Sequence, residues 1–157
     1  SGQADEGGPI YSTLVKSGDF CQNSAIIYLK ELFVEAGIDV NIYSSNMDPL
    51  LGPPTTEAGI ILGLDVIGKK DDFYRQPKNI FYISPEEKNP AGYSRCLPSV
   101  NGTNTNRFCY VIIRNAGHTT PSFTPASAYD MTKRFLSGKP LDGTWHDLDL
   151  PSCAACG

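Results

Sequence analysis

The chain carries two hydrophobic rhythms. In Ile38-Asp-Val-Asn-Ile-Tyr43, Ile38, Val40 and Ile42 alternate with Asp39, Asn41 and Tyr43, the period of a strand with one buried face. From Cys21 to Ala36 the rhythm is helical. Ile26, Leu29, Leu32 and Phe33 fall on one side at spacings of three and four, and Lys30, Glu31 and Glu35 on the other, a face suited to packing on a sheet. Ser17 or Asp19 can cap this helix at its start and Gly37 can stop it. Helix, glycine, strand is a right-handed α/β step.

Thr55 to Leu64 reads as a short helix capped by Thr55 or Thr56, with Glu57 in the first turn, where the helix dipole favours negative charge. Val66 to Lys78 is polar and mixed. Asn79–Ile83 reads as a strand, Ser84–Pro90 as a turn, and Ala91–Cys96 as a strand that pairs with the next strand along the chain. That next strand, Arg107–Ile113, ends in the β-branched run Val111-Ile-Ile113, a strong strand signal. Thr124-Pro125 supplies an N-cap and a proline at the first helical position. Ala128, Met131 and Phe135 then mark one helical face, ended by Gly138 and Pro140. The class is α/β. Residues 17–141 read as the folded unit, 1–16 as a flexible start and 142–157 as a tail, anchored by burial of Trp145.

A length of 157 residues suits one domain or a piece of a larger one. The formal net charge of −4 argues against a nucleic-acid partner. No apolar run is long enough to span a membrane. Five cysteines change the picture more. Cys96 and Cys109 flank a polar loop in which Asn101-Gly-Thr103 is an N-glycosylation acceptor, a combination that points to an oxidising, secretory-route protein. A Cys96–Cys109 bridge would contribute roughly 3 kcal/mol in the loop-entropy model. Cys153-Ala-Ala-Cys156 lacks the second ligand pair of a zinc site and reads as disulfide or tail chemistry, so no metal or other cofactor is expected. Five is odd: either one thiol is free or one cysteine bonds another chain.

Two residues carry the candidate chemistry. His118 lies just past the Val111–Ile113 strand, after a break at Asn115-Ala-Gly117, where an α/β enzyme would place a general base. A single histidine in a turn also suits a solvated or capping role. Asp48 lies in Ser44–Pro54, beyond the carboxyl end of the first strand, where functional groups collect in open α/β sheets. It also reads as a solvated loop carboxylate like Asp65, Asp71 and Asp72. Gly92-Tyr-Ser94-Arg-Cys96 begins like a nucleophile elbow, G-x-S-x-G, but its last position is cysteine and Arg95-Cys96 falls on a strand, so Ser94 is not expected to be a nucleophile. His146 has no strand-end context and reads as structural or exposed. Acid before histidine is the order of α/β-hydrolases. An elbow serine and enough strands for a full hydrolase sheet are missing. The simplest explanation is the C-terminal portion of an α/β-hydrolase fold, completed by a separate larger chain carrying the nucleophile.

Ile42-Tyr-Ser-Ser-Asn-Met-Asp48-Pro-Leu-Leu-Gly-Pro-Pro-Thr-Thr-Glu57 resembles the acid loop of the serine carboxypeptidase family. Val111-Ile-Ile-Arg-Asn-Ala-Gly-His118-Thr-Thr-Pro121, with Pro125, Ala128-Tyr-Asp-Met131, Phe135 and Lys139-Pro140, resembles its histidine segment. Ser17-Gly-Asp-Phe20 and Ala91-Gly-Tyr93 also match, most closely the vitellogenic-like and retinoid-inducible branch. The resemblance covers about Tyr11 to Leu141. It implies that Asp48 and His118 are triad members and that the fold is an α/β-hydrolase with an insertion domain. It implies removal of a C-terminal residue from peptides at acidic pH, in a lysosome, vacuole or secreted fluid. Some members are cut into two chains that stay together, often through disulfides. This chain would be the small one, its ragged start fitting a cut in an exposed excised segment and one of Cys21, Cys96, Cys109, Cys153 and Cys156 bonding the larger chain. Thr119, after the histidine, occupies a position where relatives often carry a larger residue lining the leaving-group pocket, which leaves the side-chain preference open.

Three rivals stand beside this expectation. Acyltransferases and hydroxynitrile lyases share the scaffold and keep the acid and histidine. A partner that had lost its serine would leave a binding or protective protein. A small secreted disulfide domain standing alone would expose unpaired strand edges.

Overall fold

Phe108–Ile113 is buried at all six positions and forms the strand around which the fold is built. The computed structural model describes residues 28–84, 89–98 and 106–143. In chain order the elements are α1 (Lys30–Glu35), β1 (Val40–Ser45), α2 (Pro53–Val66), α3 (Lys70–Arg75), β2 (Asn79–Phe81), β3 (Gly92–Leu97), β4 (Phe108–Ile113), α4 (Thr120–Phe123) and α5 (Pro125–Leu136). The sheet order is β1-β4-β3-β2. β1 runs parallel to β4, with Val40 against Phe108 and Ser45 against Ile113. β3 runs antiparallel to both β4 and β2.

β4 can be apolar throughout because both its faces are covered, as in the buried strands of α/β proteins. Phe108, Tyr110 and Ile112 join Leu29, Phe33, Ile60, Leu64 and Phe73 in one core cluster. Cys109, Val111 and Ile113 join Phe81, Met131 and Leu141 in the other. The rings of Phe33 and Phe73 both meet Phe108 edge-on, with centroids 5.9 and 5.8 Å away. A disulfide joins Cys96 to Cys109, directly opposite each other on β3 and β4.

Several expectations are refined. The first helix is described from residue 28, and Lys30–Glu35 is a π-helix, closed by an Ala36 N–H to Glu31 carbonyl bond of 2.8 Å. Gly37 then turns the chain at φ 65°. Leu29 and Phe33 are buried as the pattern predicts, but Leu32 is 42 % exposed. The strand expected at 38–43 is shifted to Val40–Ser45, following its ladder with β4. The helix expected from Thr55 starts at Pro53 with Gly52 in the capping position and no side-chain cap bond. Glycine has no side chain to cap with, and the two prolines that open the helix bring no N–H groups of their own. A strand expected to reach Ile83 stops at Phe81. α3 lies in the stretch that looked mixed, and α4 in the loop after His118. Thr124 stands at the N-cap of α5 as expected, without a side-chain cap bond. The flexible start, Cys21, Asn101, Trp145, His146, Cys153 and Cys156 lie outside the described residues.

Candidate active site

Parallel pairing of β1 with β4 delivers two loops to the same end of the sheet. The first loop leaves β1 after Ser45. Asp48 donates its backbone N–H to the Ser45 carbonyl at 3.2 Å. Its Oδ1 accepts the N–H groups of Leu50 and Leu51 at 2.8 and 3.1 Å. A Cβ on Gly52 would stand 2.5 Å from the Asp48 carbonyl oxygen, so glycine is what lets the loop close here and α2 begin.

The second loop leaves β4 through a turn in which Asn115 takes a left-handed conformation, φ 58°, one that asparagine tolerates. The two loops are sewn together. Asn46 N–H donates to the Ile113 carbonyl and Met47 N–H to the Ala116 carbonyl, at 3.0 and 3.1 Å. Asn46 Oδ1 accepts the Asn115 N–H at 2.7 Å. The hydroxyls of Ser45 and Thr120 bond to each other.

These bonds bring the two candidate residues together. His118 Nδ1 lies 2.9 Å from Asp48 Oδ2. The Asp48 side chain is only 6 % exposed, while that of His118 is 56 % exposed. Burial alone would raise the Asp48 carboxyl. The Leu50 N–H, the His118 ring and the Leu51 N–H outweigh it and hold the carboxyl below the ordinary aspartate value. With Nδ1–H donated to the carboxylate, Nε2 carries the lone pair and can accept a proton from a group arriving at the open side of the ring.

A cavity of about 610 Å³ runs along β1 between α1 and α2, lined by Leu29, Leu32, Ile42, Gly59 and Ile60, with Asp48, His118 and Thr120 at one end. Its apolar side explains the exposure of Leu32. Thr119 is exposed, and Thr120 is the threonine that lines this cavity. Ser94 lies on β3, 2 % exposed, its hydroxyl donated to the Leu141 carbonyl, as expected of a strand serine and not of an elbow. Sequence reading missed Ser45, Asn46 and Thr120, because each matters only through a partner on the opposite loop.

A strand-end carboxylate paired with a strand-end histidine is an arrangement that can serve as the acid–base half of a hydrolytic triad. The serine carboxypeptidase family model matches residues 12–138, and the chain belongs to that family, which carries an α/β-hydrolase fold. Among relatives, the protein named probable serine carboxypeptidase CPVL of Dictyostelium discoideum is 32 % identical over 115 residues, 72 % of this chain and 21 % of that protein. The human protein of the same name is 31 % identical over 103 residues, 66 % of this chain and 20 % of its own length. The P-(S)-hydroxymandelonitrile lyase of Sorghum bicolor is 29 % identical over 121 residues, 76 % of this chain and 21 % of the lyase. The chain thus spans about a fifth of the length of these relatives.

Proposed function

We propose that this chain is the C-terminal part of a serine carboxypeptidase, that Asp48 and His118 are its triad acid and base, and that it works with a larger chain of the same precursor bearing the serine. The observation that carries this reading is the 2.9 Å bond from His118 Nδ1 to Asp48 Oδ2 beside an otherwise open ring. The serine attacks the carbonyl of the last peptide bond of a peptide. His118 Nε2 takes its proton and returns it to the leaving amine. Asp48 fixes the imidazole tautomer and stabilises the imidazolium. The oxyanion hole and the groups gripping the substrate's terminal carboxylate belong to the larger chain, and Thr119 faces the leaving group once that chain is docked.

The edge position of β1 supports a larger partner. Among the described residues β4 is its only ladder neighbour, and the apolar cavity along it suits a further strand with its side chains. An open edge of this kind is a liability for a chain that stands alone. The depressed Asp48 carboxyl suits work in acid, since the acid residue stays ionised there. Glycosylation at Asn101, a cross-chain disulfide and a secreted or lysosomal location complete the reading. The sorghum relative supports a second reading, cleavage of a hydroxynitrile on the same scaffold.

The test uses the full-length protein from its native source, labelled with a fluorophosphonate, reduced and separated. A labelled larger chain that releases this one is expected, with loss of single residues from peptide C-termini. Asp48→Asn should lower kcat by about 10⁴-fold, the scale seen for a triad acid. No label points to a non-catalytic relative. Label with hydroxynitrile cleavage and no peptide cleavage selects the second reading.

A further inference from the structure

We propose that Ser45 and Thr120 form a positioning pair whose hydroxyl–hydroxyl bond sets the separation of the acid and the base. The proposal rests on the catalytic reading of Asp48 and His118. Ser45 is the last residue of β1, three before Asp48, and Thr120 is the first of α4, two beyond His118. They are 1 % and 2 % exposed, and their bond joins positions 75 apart in the chain. Both border the cavity yet are almost wholly buried, so removing one hydroxyl takes from the other its partner on the opposite loop.

The location of this bond gives it a role that the other links between the loops do not have. The bonds through Asn46 and Met47 meet the second loop at Ile113, Asn115 and Ala116, all before His118. The Ser45–Thr120 bond meets it after His118. The histidine is therefore bracketed. With the stem bonds alone, the segment carrying the ring would be tied to the acid loop on one side, and the Asp48–His118 bond would itself have to fix the imidazole. Catalysis is sensitive to misplacements of about 1 Å, so a link that removes this freedom acts on the chemical step and not on substrate affinity. The stem bonds stay intact when the hydroxyl is lost, so the loop keeps its path.

The experiment compares the processed, full-length enzyme with Thr120→Val, which keeps the shape and loses the hydroxyl, Thr120→Ser, which keeps the hydroxyl, and Ser45→Ala. Thr120→Val and Ser45→Ala are expected to lower kcat by about 10- to 100-fold, with KM changed by less than about twofold. Thr120→Ser should stay near wild type, and Ser45→Ala combined with Thr120→Val should be no worse than either alone. In the low-field proton spectrum, the Nδ1–H resonance of the paired imidazole should be present in wild type and Thr120→Ser and shifted or lost in Thr120→Val. Unchanged kcat and resonance in Thr120→Val, or an equal loss in Thr120→Ser, overturns the proposal. If the wild-type protein neither labels nor cleaves peptides, the carboxypeptidase reading falls by itself, and the resonance alone decides on the positioning pair. Ser45→Ala decides the matter if Thr120→Val does not fold.

Discussion

Asp130 and Arg134 stand one turn apart on α5 and meet inside the protein, Arg134 Nε lying 2.9 Å from Asp130 Oδ2 with both side chains almost wholly buried. The same guanidinium donates to the Tyr82 carbonyl at 2.6 Å and the Asp142 carbonyl at 3.3 Å. One side chain thus ties α5 to the segment after β2 and to the chain just beyond its own end. Removing one partner of a buried pair leaves a charge without compensation, at a cost of about 3–5 kcal/mol. Asp130→Ala is expected to lose that much in urea unfolding of the full-length protein. A loss below about 1 kcal/mol would show that the guanidinium does not depend on this carboxylate.

The acid loop carries a pH signature. The folded Asp48 carboxyl lies below its ordinary value of 3.8, so the folded state releases this proton more readily than the unfolded state. The resulting stability is fully present above the unfolded value and is lost as pH falls through the lower folded value. The stability difference between wild type and Asp48→Asn should therefore shrink as pH falls below about 4. Denaturation series at each pH test this, and a difference that stays flat into strong acid would contradict it.

Gly92 permits a close crossing in the sheet. A Cβ there would stand 2.3 Å from the Ile112 carbonyl oxygen and 2.5 Å from the ring of Phe81. The ring could shift, but the carbonyl belongs to the central strand. Gly92→Ala is expected to destabilise by about 1–3 kcal/mol or more through overpacking, read as a lowered melting temperature. An unchanged melting temperature would mean that β3 can move away from β4.

The sheet's two inner strands, its disulfide and both catalytic candidates were legible because each leaves a local mark. Val111–Ile113 is a β-branched run, Cys96 and Cys109 bracket one loop, and Asp48 and His118 both come just after strand ends. What was not legible depends on partners far away in the chain. α3 shows no face in the sequence because it buries one residue, Phe73. Nothing in the sequence around Asp130 and Arg134 says that α5 turns them inward. Ser45 and Thr120 look like ordinary small polar residues until the sheet places them together. Gly52 outranked the threonines as the start of α2 because the Asp48 turn needs a residue without a side chain there.

The β1–β4 ladder sets Ser45 against Ile113, with Asp48 three residues on and His118 five. A strand advances about 3.3 Å per residue, more than the whole range of distances over which a hydrogen bond survives. A slip of one rung would part the acid from the base and turn every side chain of β1 to the opposite face. The sheet is therefore the ruler of the Asp48–His118 pair. Its alignment is checked twice, once by what the strand buries and once by whether that hydrogen bond can form.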